Sequence, residues 1–419
     1  MTRDYVISFI AEGIAVALSL LVYRVAATTW APATFAEYAL SRKILSVVLV
    51  IALFGMDTAV VRFVAFEGRG RTAAAAGYLR AALMIGGGAS ALLIAIFVTL
   101  GGPLAQALYG EDGHASVLAI LGIASLGGSL YGIAYGYERA FLRIGHAAVL
   151  LVLVTGLVPL VGVAGAPASA GPALLVMGVG WIVVGGGAVA LRLHSGAAVP
   201  IQPLFAYGAS RSLGLLLQMG LLTAPAVVAA HRFGIVESGN VAFALLVLGL
   251  LSTLLTPIGV VLMPRSLHLA LERDAVTLRR HVTALVVVIV PAVAGMVIVV
   301  QLVADPLVAA YLGPSYAGAA PALRAFVWAA IPWSVFVALR GLIDASDVRP
   351  LNARNVLIAC TVYAVLLASA GVWRLDQAAY SAAFVISVAV LGALTLVEGR
   401  RALSRPLLPQ AVVEDALQP

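Results

Sequence analysis

The chain alternates between long apolar runs and short polar or charged interruptions. Runs over 5–27, 38–61, 74–100, 116–137, 147–165, 172–191, 205–230, 239–262, 282–304, 319–339, 353–372 and 378–397 are bounded by charges or by Gly and Pro clusters. Each approaches the roughly 20 residues that a helix needs to cross a hydrocarbon core about 30 Å thick. The runs lack the alternation of barrel strands, and an isolated strand in lipid would leave its backbone groups unpaired. The pattern therefore predicts an all-α polytopic membrane protein of about twelve transmembrane helices. Gly128, Gly132 and Gly136 recur every four residues in the fourth run, a stripe that lets helix backbones approach closely. Pro159, Pro225, Pro257, Pro291 and Pro332 fall inside runs and predict kinks.

Composition agrees with that pattern. Of 419 residues, 63% are hydrophobic and only 10% charged, whereas a soluble domain carries about 25% charged residues. The net charge of +7 could point to nucleic acid, but the cations are scattered between apolar runs instead of gathered on one soluble face, and no nucleic-acid partner is expected. The single cysteine, Cys360, rules out an internal disulfide or a cysteine-rich metal site. The first run contains Glu12 and continues past Tyr23-Arg24 without a small-residue cleavage site, so it reads as a span and not as a removed signal. Placing the N-terminus inside puts 17 of the 25 Lys and Arg residues in cytoplasmic segments and 3 in outer loops, with 5 in or at the edges of spans. This bias predicts cytoplasmic N- and C-termini; one missed span would invert every later segment and erase it.

The sequence also repeats itself. A shift of 203 residues lays Pro103–Gly110 on Pro306–Gly313, and the same shift lays Arg62 on Arg265. Six spans return a chain to its starting side, so the halves would be parallel repeats related by an axis along the membrane normal. The expected organisation is an N-terminal six-helix lobe over 1–192, a cytoplasmic linker over 193–204, a C-terminal six-helix lobe over 205–397 and a short cytoplasmic tail over 398–419. Such proteins place a central cavity between their halves.

Several segments resemble a known family. Thr34-Phe35-Ala36-Glu37-Tyr38-Ala39-Leu40 and Phe54-Gly55-Met56-Asp57-Thr58-Ala59-Val60-Val61-Arg62-Phe63 are similar to the first two spans of Wzx-type polysaccharide flippases. Leu262-Met263-Pro264-Arg265, Asp305-Pro306-Leu307, Leu312-Gly313-Pro314-Ser315-Tyr316 and Ala319-Ala320-Pro321 resemble the second half of the same family. The resemblance implies the multidrug/oligosaccharidyl-lipid/polysaccharide flippase fold, with two six-helix lobes around a V-shaped cavity. It also implies a substrate of undecaprenyl diphosphate carrying a short glycan, as in O-antigen, lipopolysaccharide or exopolysaccharide assembly. A multi-pass location in a bacterial inner membrane and partners among other polysaccharide assembly proteins follow from it as well. The family often carries an acid late in its seventh span. Here that stretch reads Ala224-Pro225-Ala226-Val227-Val228-Ala229-Ala230-His231-Arg232, which puts cation coupling there in doubt.

A lipid diphosphate needs cations along its path, and Arg suits it because its planar fork donates two hydrogen bonds to phosphate. Ionisable residues within spans are functional candidates by default. Arg24, Arg42 and Lys43, which oppose the positive-inside trend, are read as cavity-lining or as snorkelling to a headgroup region. Arg211 and Arg324 carry the same pair of readings. Arg62 and Arg265 read as topology signals and helix-end contacts, with gating as the alternative. Glu12, in mid-span, is either protonated or paired with a cation such as Arg42 or Lys43, and could bind a coupling ion. Asp57 reads as a helix-end contact with ion coupling as the alternative. His231, beside Arg232, reads as a solvated residue that could titrate.

No Walker A loop, His-Glu-x-x-His motif or Asp-x-Asp pair is present, and no hydrophilic segment is long enough to house a catalytic domain. No enzyme activity, cofactor or metal is expected. A saccharide ligase or polymerase would be expected to carry a large outer loop. A multidrug exporter of the same fold would want an acid-rich cavity. The related lipid II flippase would need two further spans.

Overall fold

The computed structural model describes residues 2–67, 72–166, 169–194, 196–251, 275–346, 349–369 and 376–404. Among the described residues the regular structure is helical throughout. In chain order the helices are α1 (Thr2–Thr29), α2 (Pro32–Leu53), α3 (Met56–Glu67), α4 (Thr72–Thr99), α5 (Gly101–Tyr109), α6 (Ala115–Ala140), α7 (Ile144–Val152) and α8 (Val158–Gly165). They continue with α9 (Ala170–Ala190), α10 (Ile201–Phe233), α11 (Ile235–Leu251), α12 (Ala275–Tyr311), α13 (Ala319–Val327), α14 (Ala330–Ser346), α15 (Leu351–Ser369) and α16 (Gln377–Ser404).

Nine described helical stretches are long and apolar enough to cross a membrane, and eleven if each of two bent pairs is one span. The shorter apolar helix α11 falls where the eighth run was expected. The rest of that run, with Pro257 and Arg265, lies outside the described residues. Each of the twelve runs thus meets a helix.

The bent pairs have local causes. Between α2 and α3, Phe54 and Gly55 both take positive φ (48° and 69°), and the axis turns by 41°. A side chain at Gly55 would also press into the Gly208 carbonyl oxygen, 2.3 Å from an ideal Cβ, so glycine is required there twice over. The second pair, α13 and α14, turns by 50°. Between α7 and α8 a π-helical stretch over Leu153–Leu157 precedes Pro159, a site where the missing proline N–H removes one rung of the ladder. Pro225, Pro291 and Pro306 lie inside helices that stay continuous.

The chain divides into two compact units, Met1–Ala242 with Ala309–Ala317, and Phe243–Val308 with Gly318–Pro419. In the first, α6 is the central helix. Its glycine stripe packs as the spacing predicts: a Cβ at Gly128 would meet Leu49, one at Gly132 would meet Leu53, and one at Gly136 would meet the Asp57 carbonyl. Positions 49, 53 and 57 are themselves four apart, so two rows of matched spacing lie side by side. On another face Gly127 of α6 meets Trp181 and Gly178 of α9. One apolar core joins Met56, Val60 and Val64 of α3 to Tyr78 and Leu79 of α4, Ile133 and Tyr137 of α6 and Leu204 of α10.

In the second unit, Gly392 of α16 lies against Pro332 of α14. Phe326, Tyr363, Tyr380 and Phe384 form an aromatic cluster across α13, α15 and α16. The glycines that the internal repeat pairs, Gly110 and Gly313, both take positive φ (83° and 106°) where α5 and α12 end.

Candidate functional site

In the first unit, α2 carries Arg42 and Lys43 about halfway along its length, both half-buried. The Arg42 guanidinium donates to the Met177 sulfur of α9 at 3.0 Å and lies 6.0 Å from the Tyr38 ring. Neither cation has a carboxylate partner among the described residues. A thioether and an aromatic face are weak partners for a guanidinium. The pair is held in place through the backbone: Ser46 and Thr223 of α10 both donate to the Lys43 carbonyl, at 2.6 and 3.2 Å.

The other sequence candidates have different surroundings. Arg24, on α1, donates to the carbonyls of Ala310, at 2.7 Å, and Tyr311. Those are among the last carbonyls of α12 and would otherwise be unpaired, so Arg24 caps a helix. The Tyr311 hydroxyl returns a bond to the Leu20 carbonyl. Burial pushes the nearby Tyr316 phenol up to about 12, so it stays protonated and donates to the Trp30 carbonyl at 3.1 Å. In the second unit Arg324 makes a two-toothed contact with Asp305, one bond at 3.1 Å, and its Nε reaches the Gln301 carbonyl. Arg211 is exposed on α10, 5.6 Å from the Tyr207 ring.

Glu12 does not meet Arg42 or Lys43. With Ser8 it lines a cavity of about 30 Å³ whose other walls include Tyr135, Arg139, Ala147 and Leu151, room for one water or small ion. Arg139 lies 5.4 Å from the Tyr135 ring. Asp57 stands in the first turn of α3, where the positive end of the helix dipole favours a carboxylate. His231 is exposed, and its Nε2 meets the Ala107 carbonyl at 2.9 Å.

Two features have no counterpart in the sequence reading. Buried Glu138, at the end of α6, meets Arg192 at 2.6 Å, His146 at 3.6 Å and Arg143 at 3.9 Å. Buried Glu398 of α16 meets Arg354 at 2.8 Å and Arg401 at 2.9 Å. Their only signal in the chain is an acid a few residues before an Arg-bearing run end, which is too common to single out. Arg62 of α3, which the sequence marks as a topology signal or helix-end contact, lies 5.0 Å from the same Tyr207 ring that Arg211 approaches.

No protein-family model and no curated protein matches the chain by sequence. Solved structures do match in fold. A multidrug resistance MATE family transporter of the MOP superfamily, in an inward-facing conformation, superposes with a TM-score of 0.76 at 12% identity, covering 97% of this chain and 100% of that one. An outward-facing structure so described gives 0.63 at 16% identity, covering 96% of each chain. A eukaryotic MATE transporter gives 0.65 at 13%, covering 97% of this chain and 99% of its own. At these identities the likeness establishes the fold, that of the multi-pass MATE transporters.

Proposed function

We propose that the protein is a flippase that carries an undecaprenyl-diphosphate-linked oligosaccharide across the bacterial inner membrane by alternating access. The observation that carries this reading is the Arg42–Lys43 pair. Two adjacent cations sit midway along an apolar helix, without a carboxylate among the described residues, in a chain only 10% charged. Placing cations in a span is costly, and an anionic substrate head offsets that cost each time it binds. The fold supports the alternating part of the reading, because its solved relatives include both inward-facing and outward-facing conformations. The expected roles are substrate binding by Arg42 and Lys43, and ion coupling by Glu12 in its cavity beside Arg139.

A second reading, multidrug export, is favoured by the printed description of the solved relatives. A cationic drug, however, would meet like charge at Arg42 and Lys43. The test is a vesicle assay with purified protein and a short lipid-linked oligosaccharide. Arg42→Ala with Lys43→Ala should cut translocation to below about a tenth of wild type, the cost expected for two lost charge-assisted contacts, with normal membrane insertion. Undiminished translocation by the double variant would reject the role of the pair. Transport of cationic dyes and not of saccharide by the wild type would select the second reading.

A further inference from the structure

We infer that Arg62, Tyr207 and Arg211 form a clamp for a head carrying two phosphates, on the end of the first unit that the charge bias assigns to the cytoplasm. The inference rests on the flippase reading only for the identity of its preferred ligand, a polyprenyl diphosphate.

Three observations build the site. Arg62 of α3 and Arg211 of α10 place their guanidinium carbons 5.0 and 5.6 Å from the centre of one ring, Tyr207, so the two cannot be further apart than those distances added. Both arginines are exposed, and neither has a carboxylate partner among the described residues. Two exposed cations held beside one ring concentrate positive charge locally, which an anionic head can neutralise. Phosphate accepts paired hydrogen bonds from each planar fork, and a diphosphate offers oxygens enough for both.

The arrangement is held by backbone. Gly55 at the head of α3 abuts Gly208 of α10. Arg62 lies two turns on from Gly55, Tyr207 adjoins Gly208, and Arg211 follows Tyr207 by one turn, so the glycine contact brings all three together. Apolar surface adjoins the cations: Phe66 is 77% exposed with its ring 6.0 Å from Arg62, and Phe205, 46% exposed, stacks on Phe54. A charged head beside exposed aromatics suits a lipid better than a free anion.

Depth agrees. α10 has 33 residues, about 50 Å of helix against a hydrocarbon core of about 30 Å. A helix this long carries one or both ends past the core even when tilted, and Arg211 stands about three turns from its start. Single arginines at such ends are ordinary topology signals. A shared ring between two of them is what topology does not require.

The test uses full-length protein in phosphatidylethanolamine nanodiscs, with undecaprenyl diphosphate, cardiolipin and phosphatidylglycerol titrated separately and binding read by native mass spectrometry. Wild type should bind undecaprenyl diphosphate at least about tenfold more tightly than single-phosphate phosphatidylglycerol. Each of Arg62→Ala and Arg211→Ala should weaken that binding by about tenfold and the double variant by about a hundredfold, one charged contact being lost per substitution. Arg62→Lys with Arg211→Lys keeps both charges and the fold but loses the forks, and should also fall below wild type. Equal loss of cardiolipin binding would support the clamp and identify a bilayer lipid as its natural occupant. A folded double alanine variant that keeps wild-type affinity for undecaprenyl diphosphate and for cardiolipin would overturn it. The two proposals separate cleanly. Wild type that binds diphosphate through this clamp yet moves no saccharide removes the transport reading alone; saccharide movement with unaltered binding in the double variant removes the clamp alone.

Discussion

Glu138 and Arg324 show how the surroundings of a charge decide its worth. The Glu138 side chain is 5% exposed and meets three basic groups from α7 and the chain beyond α6 and α9. Replacing it with Ala leaves those cations facing a buried gap. Arg192 and Arg143 are partly exposed and can turn to water, so the loss should sit near the low end for a charged buried bond, about 1–2 kcal/mol. We expect a drop of a few degrees in the unfolding midpoint of the detergent-solubilised protein, and a similar drop for Glu398→Ala. Arg324→Ala should shift it little, because its partner Asp305 is 67% exposed and solvent screens the pair. Equal midpoints for Glu138→Ala and wild type would show that the buried carboxylate is dispensable. Arg24 makes a further contrast at this scale. The sequence marks it as a cation out of place, but its fork is spent on the carbonyls of Ala310 and Tyr311, residues almost three hundred positions away in the chain.

Among elements, the α6 glycine stripe separates flexible from inflexible contacts. A methyl at Gly132 would meet Leu53 side-chain carbons at 2.6 Å, and one at Gly136 would meet the Asp57 carbonyl oxygen at 2.4 Å. A leucine can change rotamer, but backbone cannot step aside without moving α3. Gly136→Ala should therefore destabilise by at least about 1–3 kcal/mol and Gly132→Ala by less. Thermal midpoints of the two variants check the order, and a reversed order would contradict the packing of α6 on α2 and α3. The stripe itself was plain in the sequence, since spacing by four is a property of one helix. Which helix it faces was not, because Leu49, Leu53 and Asp57 carry no mark as its partners. Similarly, every apolar run meets a helix among the described residues, but the bends at Phe54-Gly55 and between α13 and α14 required the local backbone to be seen.

At the scale of the molecule, the expected topology makes a simple prediction. A reporter fused after Arg71 should read cytoplasmic and one fused after Asp112 should read outer-side, because one full span, α4, separates them. The opposite pattern would invert the orientation assigned to the whole chain, and with it the leaflet assigned to the Arg62–Tyr207–Arg211 clamp. The fold itself, shared with MATE transporters at 12–16% identity, shows how little of the residue-level detail the architecture demands.

The sequence alone determined that the chain is helical, polytopic and apolar, and roughly where its described apolar helices lie. That information is local: hydrophobic length and charge at the run ends act within one segment and need no partner. Only the tertiary structure decided which charges are satisfied. Arg24, Arg42, Lys43, Arg211 and Arg324 are equivalent as letters in apolar surroundings. Their differences come from residues distant in sequence: helix-end carbonyls for Arg24, Asp305 for Arg324, a shared ring for Arg211 and no carboxylate among the described residues for Arg42 and Lys43. Electrostatic worth depends on distance and burial between groups, and neither quantity exists until the helices are packed.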